Sequence, residues 1–452
     1  MFVRYVGRLP ENRQYTAAIR SSRCVVIDSL SKQRNVSAKF QILGSKEGPL
    51  EILWRTITRD FFDLAVLVYI TDELVFRPPT WHRKVNLHVP VLQSEHWINS
   101  SRSIENLLSF LTGDRFRIEW SLGRLVASLG SHNLRLSKSR YDSVCLFSGG
   151  MDSLMGAIGL LEEGRRVLLV GHRTDGQASA AQHEIFRGLQ KRFKNEVDLI
   201  QCSVARSRIS NPKFSLPDKV ERDHRSRSFL FLALGVAVAD ATGTDDLVLA
   251  ENGHIALNPP LSPSRMGSLT TRTAHPRYLL EFARFVQSMN IFNGKVRNPF
   301  LYHNKNDLLT NLQDWYVPLL KRSISCAHGT TSVRWAGVAN VKHCGHCVPC
   351  IYRRAAMLQA GLDNPEDYID DTFRNLNELS RARQRDMLTL IRFAKRVCRS
   401  NPTQLQSIVV SHGAFPADCG RTVGPIKSHN YVPWGDMLVR WAKQFLRLLQ
   451  LD

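Results

Sequence analysis

The stretch CLFSGGMDSL, residues 145 to 154, is the feature that most constrains how this chain can fold. It places a serine, two glycines and an aspartate between a short apolar run and the helix-like segment MGAIGLLEEG. Backbone N–H groups in the first turn of a helix lack intrahelical partners, and the helix dipole favours an anion there. Glycines let the backbone approach phosphate oxygens closely. The stretch therefore predicts a strand, a phosphate-binding loop and a helix, in that order.

The candidate nucleotide-binding residues of this loop are Ser148, Gly149, Gly150, Asp152 and Ser153. Serine hydroxyls add donors to a phosphate, and the carboxylate of Asp152 is predicted to hold Mg²⁺ against ATP. The loop matches neither G-x-x-x-x-G-K-[ST] nor G-x-G-x-x-G, which disfavours a kinase-type phosphate loop and a dinucleotide fingerprint. The alternative is a tight strand-to-helix turn with a purely structural N-cap.

From about residue 140, short apolar runs alternate with helix-like segments. The predicted strands are SVCLFS, RVLLVG, EVDLIQCSV and DLVLAENG, and the predicted helices include AAQHEIFRGLQKRF and RSFLFLALGVAVADATG. Such alternation is typical of right-handed βαβ units and a parallel sheet. The predicted fold class is α/β with a doubly wound parallel sheet, in which ligands bind at the carboxyl ends of the strands.

Three domains are expected. Residues 1–135 are predicted to form a β-rich accessory domain, with CVVIDSL, AKFQIL, LAVLVYITDELVF and KVNLHVPVL as strands. Residues 140–358 form the predicted catalytic domain, and 359–452 a basic helical extension. In the extension, WGDMLVRWAKQFLRLL is amphipathic, and its apolar stripe is interpreted as core, with a partner-docking face as the alternative.

Composition limits the partners and the compartment. The chain has 61 Lys and Arg against 40 Asp and Glu, a formal charge of +21, which favours polyanions and leaves nucleic acid open as a partner. The alternative is an ordinary basic surface. No stretch approaches the roughly 20 apolar residues of a membrane-spanning helix, and the first residues lack the apolar core of a secretory signal. A cytoplasmic protein without membrane contact is expected.

A cluster of cysteines predicts a metal site. The chain has nine cysteines, an odd number that disfavours a disulfide framework. Four thiolates, from Cys326, Cys344, Cys347 and Cys350, would satisfy tetrahedral Zn²⁺. An iron–sulfur cluster is disfavoured because position 354 is Arg. The competing interpretations are unliganded thiols and ligation by His343 or His346.

Two motifs together carry a family resemblance. SGGMDS resembles the S-G-G-x-D-S loop of the ATP pyrophosphatases (PP-loop enzymes), and it is followed by a Cys, then CGHCVPC and an Arg pair. This combination, over about residues 142 to 358, resembles the 7-cyano-7-deazaguanine synthase (QueC) family of queuosine biosynthesis. The resemblance implies an adenine nucleotide alpha hydrolase fold and an AMP-forming, C–N bond-forming ligase using ATP, Mg²⁺ and Zn²⁺. Its implied substrate is 7-carboxy-7-deazaguanine, which is adenylated, converted to an amide and dehydrated to a nitrile.

The resemblance also implies roles for single residues. Arg227 matches an Arg ahead of a buried helix, and Lys305 matches a Lys that follows a Pro-containing stretch, so both join Asp152 as candidate catalytic residues. A surface or capping role is the alternative for Arg227 and Lys305. AENG, residues 250 to 253, occupies a strand-end position of the family. Gln182 and Glu184 correspond to a Gln-and-Glu helix at a different spacing.

The chain departs from the family in two respects. RTAHPRYLLEF, with His275 and Pro276, replaces a Tyr-Pro-Asp-Cys stretch near the substrate, and two regions are added at the ends. Extended members of this kind resemble QueC-like proteins of anti-phage defence operons such as the Qat system, which implies protein partners from the same operon and conjugation of a deazaguanine to a macromolecule.

Two interpretations of a different kind stay open. One is a tRNA-modifying enzyme of the same fold, which needs a reactive thiol near the nucleotide. Cys145 precedes the loop inside a predicted strand and Cys202 ends another, and small buried thiols are the usual interpretation of such positions. The second is a non-catalytic scaffold of a defence complex, which an intact Ser, Gly and Asp loop disfavours.

Overall fold

The computed structural model describes most of the chain. The described residues are 2–5, 24–27, 36–44, 54–75, 83–122, 140–173, 176–206, 221, 224–259, 261, 272–328, 343–413, 415 and 431–451. The strands among them are β1 Phe2–Tyr5, β2 Cys24–Ile27, β3 Val36–Leu43, β4 Lys84–Val91, β5 Arg115–Leu122, β6 Ser143–Leu146, β7 Val167–Arg173, β8 Val197–Arg206, β9 Asp246–Val248 and β10 Lys295–Arg297.

Twelve α-helices occur in the same residues. They are α1 Thr56–Leu74, α2 Ser94–Thr112, α3 Met151–Glu162, α4 Gly176–Phe193, α5 Arg227–Thr242, α6 Gly253–Leu257, α7 Pro276–Ser288, α8 Val317–Arg322, α9 Val348–Gln359, α10 Arg381–Arg399, α11 Pro402–Val409 and α12 Val432–Leu448. Five short 3₁₀ turns join them. Across the described part of the chain, no helix combines the length and apolar character that crossing a membrane requires.

A six-stranded sheet forms the centre, in the order β10-β9-β6-β7-β8-β3. Neighbouring strands are parallel except β3, which pairs antiparallel with β8 at one edge, Val36 opposite Arg206 and Leu43 opposite Leu199. The four strands predicted after residue 140 are present as β6 to β9. The α/β fold with a parallel sheet is confirmed.

Both faces of the central sheet are covered by helices, as a doubly wound sheet requires. Along β6 and the residue after it, Val144 and Leu146 face the core that contains α5 and α7, whereas Cys145 and Phe147 face the core that contains α3 and α4. Side chains of a strand alternate between faces, so a continuous apolar run such as VCLF must be buried on both.

The prediction of a strand at LAVLVYITDELVF is wrong, because these residues lie mostly in α1. Sixteen of the helix's 19 residues are buried, so it lacks the one-sided periodicity that marks an amphipathic helix. Without that periodicity a buried helix and a buried strand look alike in sequence. Helix α1 packs against α5, and the ring of Phe61 lies 5.6 Å from that of Phe229.

The N-terminal third is therefore mixed rather than β-rich. Strands β1, β2, β4 and β5 form a second, parallel sheet in the order β2-β1-β4-β5, and α1 and α2 are each 19 residues long. The segment AKFQIL is a strand as predicted, but this strand, β3, joins the central sheet. The division of the chain at residues 135–140 and 358–359 stays a prediction.

The C-terminal region is helical, as expected. Helix α12 packs against α10 and α11. Its apolar stripe is buried inside the protein at Trp434, Met437, Leu438, Trp441 and Phe445, and Leu448 is half-buried against the same core, so the interpretation of this stripe as core is confirmed. A partner-docking role for this stripe is excluded by the same burial.

A pair of glycines in α3 gives a matched test of packing against the sheet. A Cβ on Gly156 would overlap the Cβ of Ala250 after β9, whereas a Cβ on Gly159 would meet nothing within 4 Å. We expect Gly156→Ala to lower the free energy of unfolding by about 1–3 kcal/mol and Gly159→Ala to raise it by up to about 1 kcal/mol. Urea denaturation of both variants checks this, and equal effects would contradict the close approach of α3 to residue 250.

Candidate nucleotide and metal sites

The order of the strands identifies a crevice. From β6 the chain continues to β7 and β8 on one side, and then returns to β9 on the other side of β6. The connections therefore diverge between β6 and β9, and ligands of such sheets bind outside the carboxyl ends of the strands at this switch point. The loop before α3 follows β6, and Asn252 follows β9.

The glycine loop has the conformation that its sequence predicts. Gly149 has a φ of +80°, in the left-handed region that favours glycine. The Oγ atoms of Ser148 and Ser153 lie 3.1 Å apart, and the Gly150 N–H donates to Ser148 Oγ at 3.3 Å. Ser153 Oγ also donates to the Gly150 carbonyl oxygen at 3.1 Å. The loop is thus braced from within and opens directly into α3, whose N-cap is Gly150.

Asp152 and Lys305 form a buried ion pair across this crevice. Lys305 Nζ lies 2.8 Å from Asp152 Oδ1, and the two side chains are 9% and 7% exposed. The other oxygen, Oδ2, accepts from the Asn252 side-chain amide at 2.5 Å and from its backbone N–H at 3.2 Å. Two candidates far apart in sequence therefore meet at the switch point. An ionised carboxylate has about four acceptor positions, so Asp152 can keep these contacts and still accept the predicted Mg²⁺.

Glu251 is a functional candidate that sequence reasoning missed, although the AENG segment contains it. Burial raises the pKa of its carboxyl to about 8, the neighbouring Asp152 carboxylate adds to the rise, and Lys305 and Arg227 oppose it. Its backbone is held by Asn298, whose Oδ1 accepts from the Glu251 N–H at 3.2 Å. A carboxyl with this pKa is mostly protonated at neutral pH and can donate a hydrogen bond.

The raised pKa of Glu251 predicts how stability depends on pH. Between its ordinary value of 4.5 and about 8, this carboxyl keeps its proton in the folded state and loses it in the unfolded state. Its contribution is therefore largest below pH 4.5 and declines as the pH rises to about 8. We expect the stability of the native chain relative to Glu251→Gln to fall over this range in urea titrations. A difference that is constant from pH 5 to 8 would contradict the raised pKa.

Arg227 begins α5 near the same crevice. The pKa of His172 is lowered to about 3, mainly because the ring is buried and secondly because Arg227 carries a positive charge nearby. A buried network fixes the start of α5: Asp72 Oδ2 accepts from the Ser226 N–H at 2.7 Å, and Arg83 bridges Asp72 and Asp114. The N-terminal third of the chain therefore holds the element that presents Arg227.

His172, at the end of β7, is a second residue that sequence reasoning missed. Its side chain is buried, and within the described residues neither ring nitrogen has a hydrogen-bond partner. The low pKa keeps the ring neutral, so one nitrogen can donate to a ligand and the other can accept. No pattern in the sequence marked it, because a single histidine within a predicted strand is usually a core residue.

Only one residue of the Gln182 and Glu184 pair reaches the loop. Gln182 is buried, its Oε1 accepts from Gln201 at 2.6 Å, and a Cβ on Gly149 would lie 3.1 Å from its Cγ. Glu184 instead lies at the surface, 3.6 Å from Arg322. The helix α4 therefore supports the loop through Gln182.

The four predicted metal-binding cysteines converge. Ligand atoms of Cys326, Cys344, Cys347 and His328 lie within 4.8 Å of one another, and Cys350 Sγ is 3.8 Å from Cys344 Sγ. Tetrahedral Zn²⁺ with Zn–S bonds of about 2.3 Å requires sulfurs about 3.8 Å apart. The donor set and its spacing therefore fit zinc.

His343 and His346, the alternative ligands beside the cluster, both have partners outside it. His346 Nδ1 lies 2.6 Å from Asp370 Oδ2, and the ring of His343 packs on Tyr368, 5.4 Å between centroids. His346 also forms a side-chain hydrogen bond with Cys344. A histidine that sequence reasoning missed approaches the same sulfur: His328 Nδ1 is 3.4 Å from Cys344 Sγ. Its position two residues after Cys326 was the available signal.

The cysteine cluster and the glycine loop are connected through the backbone. The Ile324 N–H, two residues before Cys326, donates to the Gly149 carbonyl oxygen at 2.9 Å. Arg353 in α9 holds the same segment, donating to Ser323 Oγ at 2.7 Å and to the Leu320 carbonyl oxygen at 2.8 Å. A metal that fixes the cysteines would thereby also fix one side of the loop.

The C-terminal helix α12 supports the Lys305 loop from the other side. Asn306 Nδ2 donates to Gln444 Oε1 at 2.9 Å, and Arg440 donates to Asp307 Oδ2 at 2.9 Å. The two residues that follow Lys305 are thus both tied to α12. The added C-terminal region is part of the scaffold of the crevice.

The remaining candidates are structural. His275 is the N-cap of α7, where its Nδ1 accepts from the Arg277 N–H at 3.2 Å. Pro276 is the first residue of that helix. Cys145 and Cys202 are fully buried, which raises the pKa of the Cys145 thiol to about 12 and that of Cys202 further. Neither thiol is available as a nucleophile.

Part of the chain is similar in sequence to a known protein family. Residues 142–361 match the family described as "Queuosine biosynthesis protein QueC". A 7-cyano-7-deazaguanine synthase from Saccharolobus solfataricus is 21% identical over 255 residues, 52% of this chain and 49% of that protein. The synthase from Allorhizobium ampelinum is 29% identical over 150 residues, 33% of this chain and 54% of that protein.

A third relative is matched along nearly its whole length. The 7-cyano-7-deazaguanine synthase from Methanothrix thermoacetophila is 22% identical over 244 residues, which cover 50% of this chain and 98% of that protein. By contrast, the chain spans only about half the length of the synthases from Saccharolobus solfataricus and Allorhizobium ampelinum. No solved structure matches the chain. The matched region includes the loop, the crevice and the cysteine cluster.

Proposed function

We infer that, because residues 142–361 match the QueC family, the chain is an ATP-dependent, AMP-forming enzyme that activates the carboxylate of a 7-deazaguanine. The observation that carries this proposal is the Asp152–Lys305 pair beside the glycine loop at the switch point of the sheet. The names of the three relatives supply the substrate class.

The proposed reaction has two steps. A carboxylate oxygen attacks the α-phosphorus of ATP, the bond to the β-phosphate oxygen breaks, and pyrophosphate leaves. An amine then attacks the acyl carbon of the adenylate, AMP leaves with the former carboxylate oxygen, and the nitrogen loses a proton. With ammonia the product is an amide, which a second ATP would dehydrate to a nitrile by the same activation of its oxygen.

The residues of the crevice have distinct roles in this proposal. The backbone N–H groups at Gly149 and Gly150 and the hydroxyls of Ser148 and Ser153 bind phosphate oxygens. Lys305, held in place by Asp152, neutralises negative charge that develops between the two reacting anions. Arg227 binds the carboxylate or a phosphate. Glu251 gives or takes the proton that the second step moves, since its pKa lies near 8.

Metal ions have supporting roles. Mg²⁺ would supply charge neutralisation at the phosphates, with Asp152 as the predicted ligand. Zn²⁺, held by Cys326, Cys344, Cys347 and Cys350, would be structural, because a closed set of four thiolates leaves no open coordination position. The zinc site then stabilises the segment that hydrogen-bonds to the glycine loop.

The burial of Cys145 and Cys202 counts against the tRNA thiolation alternative, and the buried stripe of α12 counts against a scaffold that docks partners through it. The acceptor beyond ammonia, operon partners, a role in anti-phage defence and cytoplasmic location stay predictions.

The test is product analysis with the purified full-length chain. The chain is incubated with Mg-ATP and 7-carboxy-7-deazaguanine, with and without ammonia, and nucleotides and deazaguanines are measured by liquid chromatography and mass spectrometry. We expect AMP and pyrophosphate only when the deazaguanine is present, and an amide or nitrile when ammonia is added. ADP as the product, or AMP formed equally without the deazaguanine, would overturn the proposal.

A further inference from the structure

We propose that a basic groove between α10 and α11 binds the phosphate backbone of a nucleic acid. The groove lies outside the QueC-like region and encloses about 560 Å³. It is lined by seven polar side chains, Arg392, Lys395, Arg396, Arg399, Ser400, Gln404 and Ser407, which are called the basic groove below. The proposal is separate from the adenylation reaction.

The four cations of the basic groove lie on one face of α10. Positions 392, 395, 396 and 399 have the i, i+3, i+4 and i+7 spacing of a single helical face, and they extend over about 10 Å at 1.5 Å per residue. The opposite face of the helix is buried at Leu390, Phe393 and Val397. Packing of that apolar face therefore directs the four cations outwards.

Within the residues that the structure describes, none of the four cations forms an ion pair, although Arg383 and Arg385 in the same helix do, with Asp370 and Asp386. Like charges at helical spacing repel and cost stability when they lack counterions. An anionic ligand that contacts several of them removes this repulsion and releases its own counterions.

The lining favours nucleic acid over an acidic protein. The side chains are three Arg, one Lys, two Ser and one Gln, with no aliphatic or aromatic residue. Arginine, lysine, serine and glutamine are the usual donors to phosphate oxygens. Protein partners, in contrast, are held mainly by apolar and aromatic anchors in the centre of the interface. The formal charge of +21 adds long-range attraction for a polyanion.

The test measures binding of a fluorescein-labelled 20-nucleotide RNA of mixed sequence to the full-length chain by anisotropy, at several salt concentrations. The variant Arg396→Gln/Arg399→Gln removes two groove charges. Its control, Arg381→Gln/Arg385→Gln, removes two exposed charges from the first turns of the same helix. We expect the groove variant to bind about 10-fold more weakly, with a salt slope smaller by about 1.4 for two lost contacts, and the control to stay within about 2-fold.

Three outcomes would overturn the proposal: no RNA binding by the native chain, equal losses in the two variants, or groove-dependent binding of a poly-glutamate peptide that is tighter than that of the RNA. The last result would identify an acidic protein as the partner. The substituted arginines lie at the surface of α10, so folding should be unaffected, which thermal unfolding checks. AMP formation should be unchanged in both variants, and this separates failure here from failure of the proposed reaction.

Discussion

Lys305→Met is expected to reduce the rate of AMP formation by about 100- to 1,000-fold. Losses of this size are usual when an enzyme loses one preorganised hydrogen-bond donor that stabilises charge in the transition state. The substitution should also lower the free energy of unfolding by about 3–5 kcal/mol, because it leaves the buried Asp152 carboxylate without its cation. Single-turnover AMP formation and urea denaturation measure the two effects separately.

A double substitution separates catalysis from stability. Asp152→Asn/Lys305→Met removes both charges, so it should recover most of the lost stability and none of the activity. Lys191→Met, which removes an exposed lysine from α4, is the matched control and should change neither quantity. If the double variant were as active as the native chain, the Asp152–Lys305 pair would be a structural element only.

The second large effect concerns the cysteine cluster. Cys344→Ser is expected to reduce bound zinc from about one ion per chain to a small fraction, because three donors of a tetrahedral set bind zinc far less tightly. Residues 323–328 and 343–350 should then become susceptible to proteolysis. AMP formation should fall with the zinc content, since Ile324 in this segment holds the Gly149 carbonyl. Metal analysis, limited proteolysis and the AMP assay on one preparation measure these changes.

Two further variants define the ligand set. Cys398→Ser, at an exposed position in α10, should leave zinc and activity unchanged. His328→Ala should also retain zinc if the four cysteines are the ligands, although His328 Nδ1 lies 3.4 Å from Cys344 Sγ. Loss of zinc in His328→Ala would show that the histidine replaces one of the cysteines. Full zinc content in Cys344→Ser would contradict a zinc site at this cluster.

The tertiary structure changes how the two added regions are understood. The N-terminal third supplies α1, whose Asp72 anchors Ser226, the N-cap of α5, and the C-terminal helix α12 anchors the loop that presents Lys305. The sequence marked both regions as additions to a catalytic unit. In the folded chain they contact elements on either side of the crevice, so truncating either region would disturb the site itself.

Local signals were sufficient for the parts of the protein that depend on nearby residues. The glycine loop, the strands β6 to β9, the helices α3 to α5 and the set of four cysteines could be predicted because turn geometry, hydrophobic runs and thiol spacing are properties of short segments. The wrong prediction of a strand at α1 has the same origin. A helix that is buried on nearly all sides lacks the alternation of apolar and polar residues by which a helix is recognised in sequence.

Only the tertiary structure decided what depends on contacts between distant segments. The pairing of Asp152 with Lys305, 153 positions later, follows from the order of strands β6, β9 and β10 in the sheet. The raised pKa of Glu251 and the neutral ring of His172 follow from burial that no single segment encodes. The sequence by itself determined which chemical groups the chain carries, whereas the packing of the sheet and helices determined which of them meet and in what protonation state.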